Sequence, residues 1–163
     1  VAVLRDVLAP RLRVVFCGTA PGAASARRQA YYAGPGNAFW PSLFEVGFTP
    51  RQLRPEEYAA VTDYGLGLTD LAKEVSGQDS VLSPEDFDRV ALGAKVQRYC
   101  PGVLAFTSKR AAQEFLCRPV DYGLLPDSIG ATRLFVLTSP SGAARRHWSL
   151  QPWHALARMA VLP

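Results

Sequence analysis

Apolar residues in this chain arrive in short bursts separated by glycine, proline and small polar residues, and the spacing within each burst separates strands from helices. Val14 to Cys17, Val103 to Phe106 and Leu134 to Leu137 are continuous apolar runs, too short for helices and bounded by turn residues, as expected of strands buried on both faces. Helical spacing instead marks Asn37 to Val46, where Phe39, Leu43, Phe44 and Val46 form an apolar face and Gly47 stops the helix. Lys109 to Leu116 and an amphipathic closing segment from Leu150 to Val161 are helices too, and Pro55 to Val61 is a short one with proline suited to its first turn. Ser83-Pro84-Glu85-Asp86 opens another with a cap, a first-turn proline and early acids, and Phe87, Val90, Ala91, Ala94 and Tyr99 carry its buried face to Pro101.

Three stretches have neither period. Asp63 to Leu71 alternates glycine with apolar residues and reads as an irregular extended segment against the core. Lys73 to Val81 is polar and reads as a mobile surface loop. Gly18 to Gly36 is too polar for core and too long for a simple connector, and loops of that length in compact folds tend to carry function.

Strands alternating with helices predict an α/β fold, a three-layer sandwich with a mainly parallel central sheet and helices on both faces. The length of 163 residues, without repeats or linkers, suits one domain over residues 1–163. Loops leaving successive parallel strands emerge at one edge, so Gly18–Gly36 and Ser139–Arg146 are expected to face each other.

Composition narrows the partners. No apolar run approaches the roughly 20 residues of a membrane span, and the first ten residues carry charges and lack a signal-peptide core, so the cytoplasm is expected and a membrane is not. Cys17, Cys100 and Cys117 are odd in number, match no zinc or iron–sulfur spacing, and read as buried thiols in a reducing compartment. His147 and His154 have no metal-ligand partners at useful spacing, so a metal site is not expected. A net charge of +4 permits an anionic partner. Its distribution points the same way, because Arg27 and Arg28 follow one glycine turn while Arg145, Arg146 and His147 follow another.

The turn Gly18-Thr19-Ala20-Pro21-Gly22 is the candidate floor of a site, since it lets the backbone double back with its N–H groups exposed. A plain strand-to-loop connection is the other reading. A phosphate loop fits less well, because the turn lacks a Gly-Lys-Ser/Thr ending and the Gly-x-Gly-x-x-Gly spacing.

Taken in order, Leu12 to Gly22, Gly34-Pro35-Gly36-Asn37-Ala38-Phe39-Trp40, Gly47-Phe48-Thr49, Asp63-Tyr64, Gly67-Leu68-Thr69 and Pro140-Ser141-Gly142 resemble the mismatch-specific uracil-DNA and thymine-DNA glycosylase family over nearly the whole chain. The resemblance implies a repair enzyme that flips uracil out of double-stranded DNA, at a G·U mismatch above all, and hydrolyses its glycosidic bond without metal or cofactor. A monomer suits an enzyme that scans DNA. The resemblance also implies that the N–H groups of Gly18, Thr19, Ala20, Pro21 and Gly22 (proline having none) form the base pocket, with Ser25 in its wall, Asn37 nearby and Tyr32 stacking on the base. Ser139, Pro140, Ser141, Gly142, Ala143, Ala144, Arg145 and Arg146 correspond to the loop that enters the duplex.

Two positions depart from the family pattern. Where the family carries an asparagine that positions the attacking water, this chain has Ala20, which cannot orient water. Where the family has a large apolar wedge it has Ala143, so Arg145 or Arg146 is expected to contribute instead. Related families with alanine in a Gly-x-Ala-Pro-Gly turn hold an iron–sulfur cluster on four cysteines, which three cysteines without the spacing cannot supply. The replacement for the asparagine is expected to be Asp70, in a segment that matches the family near the pocket where relatives have lysine or asparagine. Asp63, Asp88 and Asn37 are the other candidates. Trp40, Trp148 and Trp153 read as packing residues, and Lys109 as a solvated lysine or a phosphate contact. Loss of catalysis with retention of damaged-DNA binding is the competing outcome.

Overall fold

The computed structural model describes residues 1–160. A five-stranded sheet runs in the order β2-β1-β3-β5-β4, built from β1 (Val14–Gly18), β2 (Leu66–Asp70), β3 (Val103–Phe106), β4 (Gly123–Ile129) and β5 (Thr132–Val136). The pairings β1/β2, β1/β3 and β3/β5 are parallel, and only the edge strand β4 is antiparallel. The helices are α1 (Ala23–Arg28), α2 (Phe39–Glu45), α3 (Arg89–Tyr99), α4 (Lys109–Leu116) and α5 (Gln151–Met159).

Alternation along β1 produces the layers, because successive side chains of a strand leave opposite faces. Val14 and Phe16 join one core with Phe39, Trp40 and Leu43 of α2 and Trp153 and Leu156 of α5. Val15 and Cys17 join the other with Leu92 and Val96 of α3 and Ala111 and Ala112 of α4. The outcome is the α/β three-layer sandwich, with a mainly parallel sheet covered on both faces.

Several local expectations are corrected. Asp63–Leu71 is not irregular: residues 66–70 pair as the edge strand β2, preceded by a 3-10 helix over Pro55–Tyr64 that runs past the expected end at Val61. Glycine masks this strand because Gly67 serves a close approach, where an added Cβ would lie 2.7 Å from the Val7 carbonyl oxygen and from Leu12. The Gly18–Gly36 loop contains α1, and β4 has no apolar run to announce it, since Pro126 falls where its pairing with β5 shifts register. Thr132 starts β5 two residues early.

The third helix begins at Arg89, not Ser83. Ser83 and Asp86 close a separate 3-10 turn by reciprocal capping, and Asp88 then caps α3 by accepting from the Ala91 N–H at 2.9 Å. Its buried face is Leu92 and Val96, whereas Val90 is 84% exposed and Ala94 is also exposed. Phe44 likewise turns outward from α2. Cys17 is buried, but Cys100 and Cys117 are exposed at left-handed helix ends. The closing helix ends at Met159, and Val161 lies outside the described residues.

The chain before β1 wraps over β2. Val7 and Leu68 exchange backbone hydrogen bonds of 2.9 Å, and the Val3 N–H donates to the Lys73 carbonyl at 2.7 Å. Gly67→Ala is expected to cost about 1–3 kcal/mol by forcing this segment off the strand. Urea unfolding of the variant measures it, and an unchanged midpoint would show that the segment yields freely.

Candidate active site

Register brings the site together. Gly18 at the end of β1 is the strand partner of Asp70 at the end of β2, while Thr107 follows β3 and donates its N–H to the Cys17 carbonyl at 2.9 Å. Leu137 continues β5 by donating to Phe106, so the Ser139–Gly142 turn leaves the same edge. These ends enclose a cavity of about 600 Å³ where the strand order reverses, the usual place for a site in an open α/β sheet.

The glycine turn lines this cavity, and its carbonyls are engaged elsewhere. Gly18, Thr19, Pro21 and Gly22 accept from the N–H groups of Leu71, Ala72, Gly77 and Ala26 at 2.7–2.9 Å. Among the described residues the N–H groups of Ala20 and Gly22 have no backbone acceptor. This is the arrangement that can receive an anion or a polarised carbonyl.

Asp70 lies beneath the turn and is only 4% exposed. Glycine at position 18 makes room for it: a Cβ there would stand 2.9 Å from Asp70 Oδ1 and 3.4 Å from both Thr107 Oγ1 and the Tyr32 hydroxyl. Asp70 Oδ2 is buried without a hydrogen-bond partner among the described residues. Burial pushes the carboxyl up to about 7, against the opposing pull of Lys73. Such a group is half ionised near neutrality and can take up a proton there.

Tyr32 lines the cavity with a left-handed backbone, φ 53°, that a non-glycine residue rarely adopts. One face of its ring stacks on Phe39 at 3.9 Å, and its hydroxyl is 3.1 Å from Thr107 Oγ1. Burial and the Asp70 charge raise the Tyr32 hydroxyl well above its ordinary value, keeping it neutral. Ser25 is buried and accepts from the Ala33 N–H at 3.0 Å, fixing the loop that carries Tyr32. Asn37 also lines the cavity, and its side chain accepts from the Phe39 N–H at 2.9 Å as α2 begins.

Of the other acids weighed for the site, Asp63 is exposed within the 3-10 helix and Asp88 is occupied as the cap of α3; neither lines the cavity. The cavity does include an acid that sequence reasoning missed, Asp79, which accepts from the Thr19 hydroxyl at 2.8 Å. Arg110 donates to the Asp79 and Leu82 carbonyls, so the polar stretch after Lys73 is tied across the pocket mouth. Thr107 was legible only as the first polar residue after a strand.

Ser139, Pro140, Ser141, Gly142, Ala143 and Ala144 form the facing wall. Pro140 accepts from the Ala38 N–H at 2.8 Å, docking this loop against the Gly-Pro-Gly turn. Arg145 and Arg146 are exposed and do not line the cavity; the Arg145 guanidinium lies against Gly36, 2.5 Å from where a Cβ would be. Arg28 serves structure, donating to the Ala33 carbonyl and pairing with Glu56. Lys109 sits 4.4 Å over the Tyr122 ring and 3.8 Å from Asp121, engaged away from the cavity.

The elevated Asp70 carboxyl makes stability depend on pH. Below its ordinary value of 3.8 the group is protonated folded or unfolded and costs nothing. The cost grows as pH rises and is complete above about 7, where it reaches a ceiling of about 4 kcal/mol. Asp70→Asn is therefore expected to be more stable than the wild type at pH 8, with the gain vanishing toward pH 4. Urea unfolding at the two pH values measures this, and an equal gain at both would contradict it.

Residues 5–162 match the family model described as the uracil DNA glycosylase superfamily. The chain is also similar to the solution NMR structure of a candidate uracil DNA glycosylase from Methanosarcina acetivorans, with 25% identity, 96% of each chain covered and a TM-score of 0.68. A match of that extent takes in the whole sheet and every loop around the cavity, and the chain belongs to the uracil DNA glycosylase superfamily.

Proposed function

We propose that this protein is a monofunctional DNA glycosylase that excises uracil, at G·U mismatches above all, with Asp70 in place of the motif asparagine. The observation that carries the reading is a buried carboxyl, Asp70, lining the same cavity as a turn whose Ala20 and Gly22 N–H groups have no backbone acceptor. Hydrolysis of the bond from C1′ to N1 needs both features. As that bond breaks, its electron pair leaves with the base, and the Ala20 and Gly22 N–H groups are suited to receive the negative charge on the uracil oxygens. Positive charge develops on the sugar, where an ionised Asp70 stabilises it and accepts a proton from the water that attacks C1′.

Flipping the nucleotide into the cavity costs a few kcal/mol and least at a mismatch, which contributes selectivity. The Tyr32 face opposite Phe39 is then the stacking surface. The loop Ser139–Arg146 enters the duplex, with Arg145 and Arg146 holding the backbone in a salt-dependent manner. A damaged-DNA binding protein without turnover is the second reading, and Ala20 favours it, because the family asparagine is missing.

Single-turnover excision of uracil from a G·U duplex, with Asp70→Asn alongside, tests the assignment. Wild-type excision is expected, with a loss of at least about 100-fold in the variant and no change in duplex affinity. Equal rates would remove Asp70 from the chemistry. Tight binding without excision by the wild type would establish the second reading.

A further inference from the structure

Lys73 stands three residues beyond Asp70, on the turn that leaves β2. Its ammonium group is held from several sides: Nζ lies 2.8 Å from Asp6 Oδ1, donates to the Tyr31 hydroxyl at 3.2 Å, and sits 5.7 Å from the centre of that ring. Asp70 Oδ2 is 3.9 Å away, beyond hydrogen-bonding distance but well within range of charge. The Lys73 side chain is 16% exposed and does not line the cavity.

Asp6 is the centre of this cluster. Besides Lys73 it pairs with Lys95 of α3 at 2.7 Å and accepts from the Thr69 hydroxyl at 2.7 Å. Burial pushes the Asp6 carboxyl up, but hydrogen bonds from Lys73, Lys95 and Thr69 outweigh it and hold the group below its ordinary value. One carboxylate thus serves two ammonium groups, leaving the cluster with one positive charge in excess. The other titratable groups that sense the Asp70 charge are the Cys17 thiol and the Tyr31 and Tyr32 hydroxyls, all raised by burial and neutral at working pH, and the Thr107 hydroxyl lies beside it at Gly18.

We infer that Lys73, fixed by Asp6, is the positioning residue that makes Asp70 ionisable in its buried site: Asp6, Lys73, Lys95 and Asp70 together are neutral only when Asp70 is the anion. This rests on the reading of Asp70 as the catalytic acid–base group. Lys73 acts through charge rather than contact, which explains why the Asp70 oxygen nearest it has no hydrogen-bond partner.

The test is the pH dependence of single-turnover excision, from about pH 5.5 to 9.5, for the wild type, Lys73→Gln and Lys73→Arg, with the Asp70 carboxyl followed in parallel by carbon-13 NMR in protein without DNA. Glutamine keeps hydrogen-bonding capacity toward Asp6 and Tyr31 but removes the charge. An opposite charge at this distance shifts a carboxyl by about 1–3 pH units, so the acid limb and the NMR midpoint of Lys73→Gln are expected to move up together by about that amount. Its rate at pH 7 then falls about tenfold or more, the deficit narrows toward pH 9.5, and duplex affinity holds; Lys73→Arg restores the wild-type limb. Lys95→Gln removes the same cluster charge from a more distant position, should Lys73→Gln fail to fold, and is expected to move the midpoint in the same direction by less. An unmoved NMR midpoint in the folded charge-removing variant overturns the inference, as does lost duplex affinity with an unmoved midpoint, which would make Lys73 a phosphate contact. A moved midpoint together with undiminished excision by Asp70→Asn sustains the charge coupling and overturns the catalytic reading beneath it.

Discussion

Gly18 and Asp70 meet as register partners at the ends of two parallel strands, and the space left by the missing Cβ is occupied by a carboxylate. The rest of the site follows from that contact. Parallel pairing brings Thr107 to the same edge, the Tyr32 hydroxyl closes on Thr107, and the Gly18 and Thr19 carbonyls are pinned by the residues just after Asp70. Any side chain at position 18 would press on Asp70, Thr107 and Tyr32 together, so one small residue sets the geometry of three polar ones.

The same contact opposes stability to chemistry. A carboxylate deprived of water is disfavoured as an anion, and its unpartnered oxygen forgoes a hydrogen bond that an ordinary core would supply. Strain is concentrated nearby as well, in the left-handed backbone of Tyr32. These costs are borne by an otherwise well-packed frame, in which Phe16, Phe39 and Trp153 interlock through edge and stacked contacts directly below the pocket. The cavity is polar where the cores are dry, and the boundary between them runs through the Tyr32–Phe39 stack.

The three central parallel strands were legible because each is a continuous apolar run between turn residues, long enough for a buried strand and too short for a helix. The strand carrying Asp70 was not, because Gly67 lowers strand propensity locally for a reason that lies far away in sequence, the approach of Val7. The edge strand with Pro126 escaped notice for a related reason: an edge tolerates a register break that central strands forbid. The turns Gly18–Gly22 and Ser139–Gly142 that line the cavity were legible because they leave strand ends, whereas Ser25, Tyr32, Asn37 and Asp70 were named only through the family resemblance. Asp79 was not named at all, since its place depends on the path of a polar loop fastened by Arg110, and no local pattern encodes that path. The arginines after the turns were legible as charge but not as partners, and Arg28 in particular was already committed to Glu56.

Residues 1–12 contain no regular helix or sheet strand, only the isolated bridge at Val7. A minimal core trimmed to the first strand would keep every layer of the sandwich and the whole glycine turn. It would nevertheless discard Asp6, and with it the anchor shared by Lys73 and Lys95. The electrostatic boundary of the pocket therefore lies upstream of its architectural boundary, and grafting this pocket onto another scaffold means carrying along a segment that secondary structure alone would mark as dispensable.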